Sequence, residues 1–220
     1  GMGQLHLEVS VDKLRREHPV AVNIGRPIVS YRETVAGSAS MAYRHIKQQG
    51  GAGQFACVTL AVAPGARGSG LVFVDRTVGG VVPKEYVPAV EKGVRGAATR
   101  GVLAGYPVVD VHVSLVDGQV HVHDSNAAAF EIAGSMAFQA ACRQAQMVLL
   151  EPFAALDVMV PELHAGDVIG DFGARRGAIS RIVPRDHLMS ITGRVPLSET
   201  FDYVTRLRGL TRGRGSAVVV

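Results

Sequence analysis

Residues 106–146 read YPVVDVHVSLVDGQVHVHDSNAAAFEIAGSMAFQAACRQAQ, and a change of period inside this stretch decides the fold class. Over Tyr106–Val116 apolar and polar residues alternate. Val109, Val111, Val113 and Leu115 share one face, and Asp110, His112 and Ser114 share the other. Period two marks a strand with one buried face. From Ser125 to Gln146 the chain turns alanine-rich and reads as one long helix, which Ser125 or Asp124 is placed to cap. Between them Asp117-Gly118 reads as a hairpin turn. A strand that feeds a helix through a short polar loop is a unit of mixed α+β architecture.

Upstream, Pro83–Arg100 has helical spacing, with Tyr86, Val90, Val94 and Ala97 or Ala98 on one stripe. Ile28–Val35, Ser40–Lys47, Gln54–Val62 and Leu71–Val74 read as strands. Gly50-Gly51-Ala52-Gly53 and the segment from Pro64 to Gly70 are the turns between them. Residues 4–17, QLHLEVSVDKLRRE, alternate like a strand at Leu5, Leu7, Val9 and Val11, and also place Leu7, Val11 and Leu14 on one helical face. Arg15 and Arg16, followed by Pro19, favour the helix. A helix this short is marginal in water, so its stripe needs a partner surface. Val20–Ile24 then reads as a short strand.

Downstream, the composition shifts at Leu150-Glu151-Pro152. Strands are expected at Ala155–Val160, Ile179–Pro184, Leu188–Val195 and Ser216–Val220, with helices at Ala165–Arg176 and Ser198–Arg212. The order β-α-β-β-α-β predicts a ferredoxin-like sheet with its helices on one face. The chain therefore divides into a stub at 1–26, a first module at 27–150 and a second at 151–220.

Composition narrows the function classes. The chain is 47% hydrophobic and 19% charged, which argues against disorder. No apolar run approaches the length of a membrane helix, and residues 1–20 hold no signal-peptide core. Cys57 and Cys142 are too few for a disulfide framework and read as reduced thiols of a cytoplasmic protein. Net charge is +4, and 19 of the 23 cations are Arg. Residues 204–216, VTRLRGLTRGRGS, hold four Arg and no acid. The planar guanidinium fork matches phosphate oxygens, although the same run also suits a solvated face.

Several chemistries are absent from the sequence. No Gly is followed by Lys, so there is no Walker phosphate loop. No G-x-S-x-G elbow and no H-E-x-x-H is present. Asp110, Asp117, Asp124 and Glu131 show no spacing suited to general acid–base work. A stand-alone metal-binding protein using His112, His121 and His123 is the alternative from another class, but no further ligand is evident.

Longer motifs carry a resemblance. Gly1-Met2-Gly3-Gln4-Leu5-His6-Leu7-Glu8 is similar to a signature of the elongation factor G family of translational GTPases. Tyr31-Arg32-Glu33-Thr34, Gly50-Gly51-Ala52-Gly53-Gln54-Phe55, Arg67-Gly68-Ser69-Gly70 and residues 78–86, VGGVVPKEY, follow in the family's order. So do residues 88–93 (PAVEKG), 101–110 (GVLAGYPVVD), 149–152 (LLEP), 166–171 (GDVIGD), 175–177 (RRG) and 211–215 (TRGRG). The resemblance covers essentially the whole chain.

It implies a C-terminal portion of such a factor. That portion would hold the end of the third domain, a split β-α-β fourth domain with a left-handed crossover, and a ferredoxin-like fifth domain ending within its final strand. The GTPase domain, with GTP and Mg, would lie upstream, so no cofactor and no catalytic site is expected here. The implied partner is the ribosome, through ribosomal RNA and the tRNA–mRNA duplex, with no membrane and no small-molecule substrate. Two loops would form the tip that enters the decoding site. One is Gln49, Gly50, Gly51, Ala52, Gly53 and Gln54; the other includes His121, Asp124, Ser125 and Asn126. Arg175, Arg176, Arg212 and Arg214 are the implied contacts to large-subunit RNA. Three positions depart from the family pattern: Ala52 stands for Arg, Cys57 for His and Ala127 for Glu. These departures leave open a divergent paralogue acting in ribosome recycling or protection.

Overall fold

The structure is a computed structural model that describes residues 4–18, 25, 28–48 and 53–219. Its elements form two four-stranded sheets and a two-stranded ribbon.

In the first sheet, β2 (Ala39–Lys47), β3 (Gln54–Pro64), β5 (Val111–Gln119) and β4 (Leu71–Asp75) lie side by side in that order. β2, β3 and β5 are mutually antiparallel, while β4 runs parallel to β5. The helix α2 (Val87–Arg100) connects that parallel pair, and β5 is thereby inserted between the chain neighbours β3 and β4. α3 (Ala127–Gln144) follows β5, and both helices pack on one face of the sheet. The alternation sets the core: Ala56, Val58, Leu60 and Val62 meet Val111, Val113 and Leu115, all buried. Facing them are Val90 and Val94 of α2 and Phe130 and Phe138 of α3, also buried. Fully burying one such side chain contributes about 1.5–3 kcal/mol.

The helices approach closely because glycine faces the contact from each. A Cβ on Gly93 would lie 2.0 Å from the Glu131 carbonyl oxygen, and one on Gly134 would lie 2.7 Å from that of Val90.

Three local expectations are corrected. The strand expected over Tyr106–Val116 begins only at Val111, because Asp110 adopts φ 56°. Asp110 instead gathers a turn: its side chain accepts from the Gly70 amide at 3.0 Å, and its carbonyl accepts from the Gly65 amide at 2.7 Å. Asp117-Gly118 is not a hairpin turn. Both residues lie inside β5, where Thr59 pairs with Asp117 and Leu60 with Leu115, leaving Val116 as the extra residue of a bulge. The bulge reverses the alternation and turns Gly118 inward, where a Cβ would meet a Val82 methyl at 2.3 Å. The cap of α3 is Asn126, whose Oδ1 accepts from the Ala129 amide at 2.8 Å, rather than Ser125 or Asp124.

Of the strand expected at Ile28–Val35, only β1 (Arg32–Val35) forms. It pairs antiparallel with β6 (Met147–Leu150), an element the sequence pattern did not signal because three of its four side chains are exposed. Glu33 on β1 is fully buried. Its carboxylate accepts from the amides of Val102, Leu103, Ala104 and Tyr106 at 2.6–3.0 Å. Burial would raise its pKa, but the four amide donors outweigh that and hold it below the ordinary value of 4.5.

The second sheet has the order β10 (Ser216–Val219), β7 (Phe153–Pro161), β9 (Leu188–Pro196), β8 (Ala178–Arg185), with every neighbour antiparallel. This is the ferredoxin-like arrangement expected. α4 (Ala165–Ala174) and α5 (Tyr203–Leu210) bury Val168, Phe172, Tyr203 and Leu207 against Leu156, Val158, Val160, Ile191 and Val195.

α1 (Gln4–Glu17) is the expected helix. On its apolar stripe Leu14 is 44% exposed, while Val11 is partly buried. The strand expected at Val20–Ile24 falls outside the described residues. Among the described residues no helix is long and apolar enough to cross a membrane.

Candidate functional site

At one end of the first sheet the start of β3 meets the loop between β5 and α3. The two segments are joined through the backbone: the Phe55 amide donates to the Asp124 carbonyl at 2.8 Å. Ser125 completes the join. Its Oγ donates to the Phe55 carbonyl and accepts from the His121 amide, both at 2.8 Å. The Ser125 amide donates to the His121 carbonyl at 3.1 Å, closing residues 121–125 into one turn. Asn126 then opens α3. A serine in this loop has its own hydroxyl as a local backbone partner, which is why such residues favour turns and caps.

The backbone is satisfied inward while the first three side chains face out. His121, Val122 and His123 are exposed, and Asp124, Ser125 and Asn126 are partly buried. The His121 Nδ1 lies 3.1 Å from Asp124 Oδ2. Gln54 Oε1 is 3.0 Å from His45 Nε2 on the neighbouring strand. The Arg44 guanidinium sits 5.2 Å from the centre of the Phe55 ring, a cation–π pair that adds a fixed positive charge beside the loops. Phe55 falls in the expected loop, but Arg44 and His45 were not anticipated. The only signal for them was the pairing of β2 with β3, which the spacing of the two strands predicts but whose register it does not set.

The structure thus brings Gly53, Gln54, His121, Asp124, Ser125 and Asn126 together. Gln49, Gly50, Gly51 and Ala52 lie outside the described residues. Of the three histidines weighed as metal ligands, His112 sits near the other end of β5, opposite Ala63, so it does not converge with His121 and His123. Among the described residues no three His, Cys, Asp or Glu side chains gather into a metal site. Cys57 and Cys142 are both free thiols, and burial pushes Cys142 up to about 12.

The four arginines divide sharply. Arg175 is corrected from surface contact to interior strut. It is 8% exposed, donates to Asp171 at 2.8 Å and Asp202 at 2.9 Å, reaches the Glu199 carbonyl, and lies over the Tyr203 ring. Arg176 forms a fork with Glu151 at 2.9 and 3.0 Å, which holds that carboxyl below the usual range. Arg212 and Arg214 are exposed and form no ion pair with a described residue.

Comparison with known proteins gives a consistent result. Residues 27–146 match the family model "Elongation factor G, domain IV", and residues 148–220 match "Elongation factor G C-terminus". The chain is 48% identical over 219 residues to elongation factor G of Aquifex pyrophilus, covering 100% of this chain and 31% of that protein. A crystal structure of a Thermus thermophilus protein superposes with a TM-score of 0.86 at 39% identity, covering 100% of this chain and 33% of that one. The chain therefore spans about a third of the length of the relatives it matches.

Proposed function

The chain belongs to the elongation factor G family, whose C-terminal portion it matches, and on that basis we propose that it is the ribosome-binding part of a factor promoting GTP-dependent tRNA–mRNA translocation. The observation that carries this reading is the tip of the first sheet. The start of β3 is pinned to the loop at 121–126 through Phe55, Asp124 and Ser125, while His121 and His123 stay exposed. An A-form minor groove displays 2′-hydroxyls and base edges, and polar side chains on an exposed turn can read it by shape. Gln54, His121 and the turn residues would contact the codon–anticodon duplex. Gly50 and Gly51, which carry no side chain, would admit close backbone approach. Arg212 and Arg214 would serve as phosphate contacts to large-subunit RNA, with Arg176 partly committed to Glu151.

GTP and Mg would be held by another part of the protein, since this sequence carries no Walker phosphate loop. The work of these two sheets would then be to bind and position. The setting this implies is the cytoplasm.

A second reading, a divergent paralogue acting in recycling or protection, is favoured by Ala52 in place of an arginine. Polypeptide synthesis by the full-length protein decides between them. Sustained chain elongation supports the translocase. Ribosome-dependent GTP hydrolysis without elongation, together with splitting or protection of ribosomes, supports the paralogue.

A further inference from the structure

The Asp124 carboxylate meets both tip loops at once. Its Oδ2 is 3.1 Å from His121 Nδ1, in the same turn. Its Oδ1 fills the space where a side chain on residue 53 would start: a Cβ there would be 2.6 Å from Oδ1 and 2.8 Å from Cγ. Gly53 is therefore needed for the carboxylate to sit where it does. The His121 side chain is 52% exposed, and its nearest aromatic neighbours, Phe55 and His123, are 6.0 and 6.3 Å away between ring centres. These rings do not fix how the imidazole is protonated. One competing contact exists, from the Asp124 amide to the same Nδ1 at 3.3 Å. An imidazole nitrogen can face an amide donor with its lone pair or a carboxylate with its proton. The carboxylate contact is the shorter, and a hydrogen bond to an ionised acceptor is roughly twice as strong as one between neutral groups.

We propose that Asp124 is a positioning residue for His121. Its carboxylate accepts the Nδ1–H, fixing the tautomer in which the Nε2 lone pair of the exposed ring is free to accept a hydrogen bond from a hydroxyl donor, and Gly53 supplies the room this requires. The hydroxyl class, of which a ribose 2′-OH is the member at hand, rests on the ribosome-binding reading. The tautomer does not. A tip histidine that accepts rather than donates recognises a ribose edge, which offers a donor, and gains nothing from a phosphate, which offers none.

Nitrogen-15 NMR of the imidazole groups tests the tautomer in the chain alone, at a pH where the ring is neutral. In the unsubstituted protein His121 gives the pattern of an Nδ1–H, Nε2-lone-pair ring. Asp124→Ala moves it to the Nε2–H form that free side chains favour, and Gly53→Ala shifts it the same way by displacing the carboxylate. Hydrogen exchange at the Phe55 amide stays slow in Asp124→Ala, because its acceptor is the residue 124 backbone carbonyl. If that protection is lost, the near-isosteric Asp124→Asn carries the test, and its neutral amide must lower the Nδ1–H share. An Nε2–H ring in the unsubstituted protein overturns the proposal. So does an unchanged tautomer in Asp124→Ala with Phe55 protected, or in Asp124→Asn. Because no ribosome enters the measurement, its failure is distinct from failure of the translocation reading.

Discussion

Glu33 and Asp124 each set a carboxylate against a loop, in opposite surroundings and to different effect. Glu33 is sealed in and takes four backbone amides from residues 102–106, so its whole hydrogen-bonding capacity is used inside the fold. Asp124 keeps 31% of its side chain exposed and touches one ring nitrogen that is itself exposed. The backbone of its loop is held by other bonds, through Phe55 and Ser125. The first carboxylate stabilises; the second leaves a surface group oriented. The proposed ribosome-binding role would call for both, a firm base and an end whose side chains are not consumed by folding.

The comparison breaks most visibly at Glu33. Glu33→Gln replaces one acceptor oxygen with an NH2 group facing amide donors, so some of the four donors are orphaned. At about 1.5–3 kcal/mol for each charged hydrogen bond lost, unfolding in denaturant is expected to lose at least about 3 kcal/mol. The pH dependence has a defined sign. Because the folded pKa lies below the ordinary 4.5, the contribution is present above pH 4.5 and is lost as pH falls through the lowered value. The gap between the two proteins therefore narrows on acidification, and a gap constant across that window contradicts the assignment.

Gly93→Ala is expected to cost about 1–3 kcal/mol, read from the same denaturant curves, since a methyl at the Glu131 carbonyl forces α2 and α3 apart. Asp124→Ala is expected to stay within about 0.5 kcal/mol of the parent, the range for surface changes away from special features. A loss at Asp124 as large as that at Glu33 would erase the distinction between the two carboxylates.

Much of this contrast could be read from the sequence and part could not. The ferredoxin-like sheet was legible because Leu156, Val158 and Val160 alternate cleanly and the helices between strands have one apolar stripe each. The ribbon of β1 and β6 was not, because β6 keeps Val148, Leu149 and Leu150 exposed and depends on a distant partner. The bulge at Val116 was missed because Asp117-Gly118 has the chemistry of a turn, and only tertiary pairing shows that it continues a strand. Glu33 did leave a trace: it falls in phase with Val29 and Val35, an acid on the buried side of an alternation. In the site, the loop from His121 to Asn126 was legible from the family motif alone, since the turn chemistry at Asp117-Gly118 lies inside β5. Arg175 was misplaced because a sequence does not distinguish an arginine facing solvent from one closed in by Asp171, Asp202 and Tyr203.

The central claim is that the tip of the first sheet acts on the moving tRNA–mRNA pair, while energy release belongs elsewhere in the protein. The most direct measurement is pre-steady-state kinetics of the full-length protein carrying His121→Ala, following tRNA–mRNA movement and ribosome-stimulated GTP hydrolysis in parallel. The account predicts that movement slows at least about tenfold, about 1.4 kcal/mol of barrier, while hydrolysis changes little. Equal slowing of both steps, or an unchanged rate of movement, would contradict it.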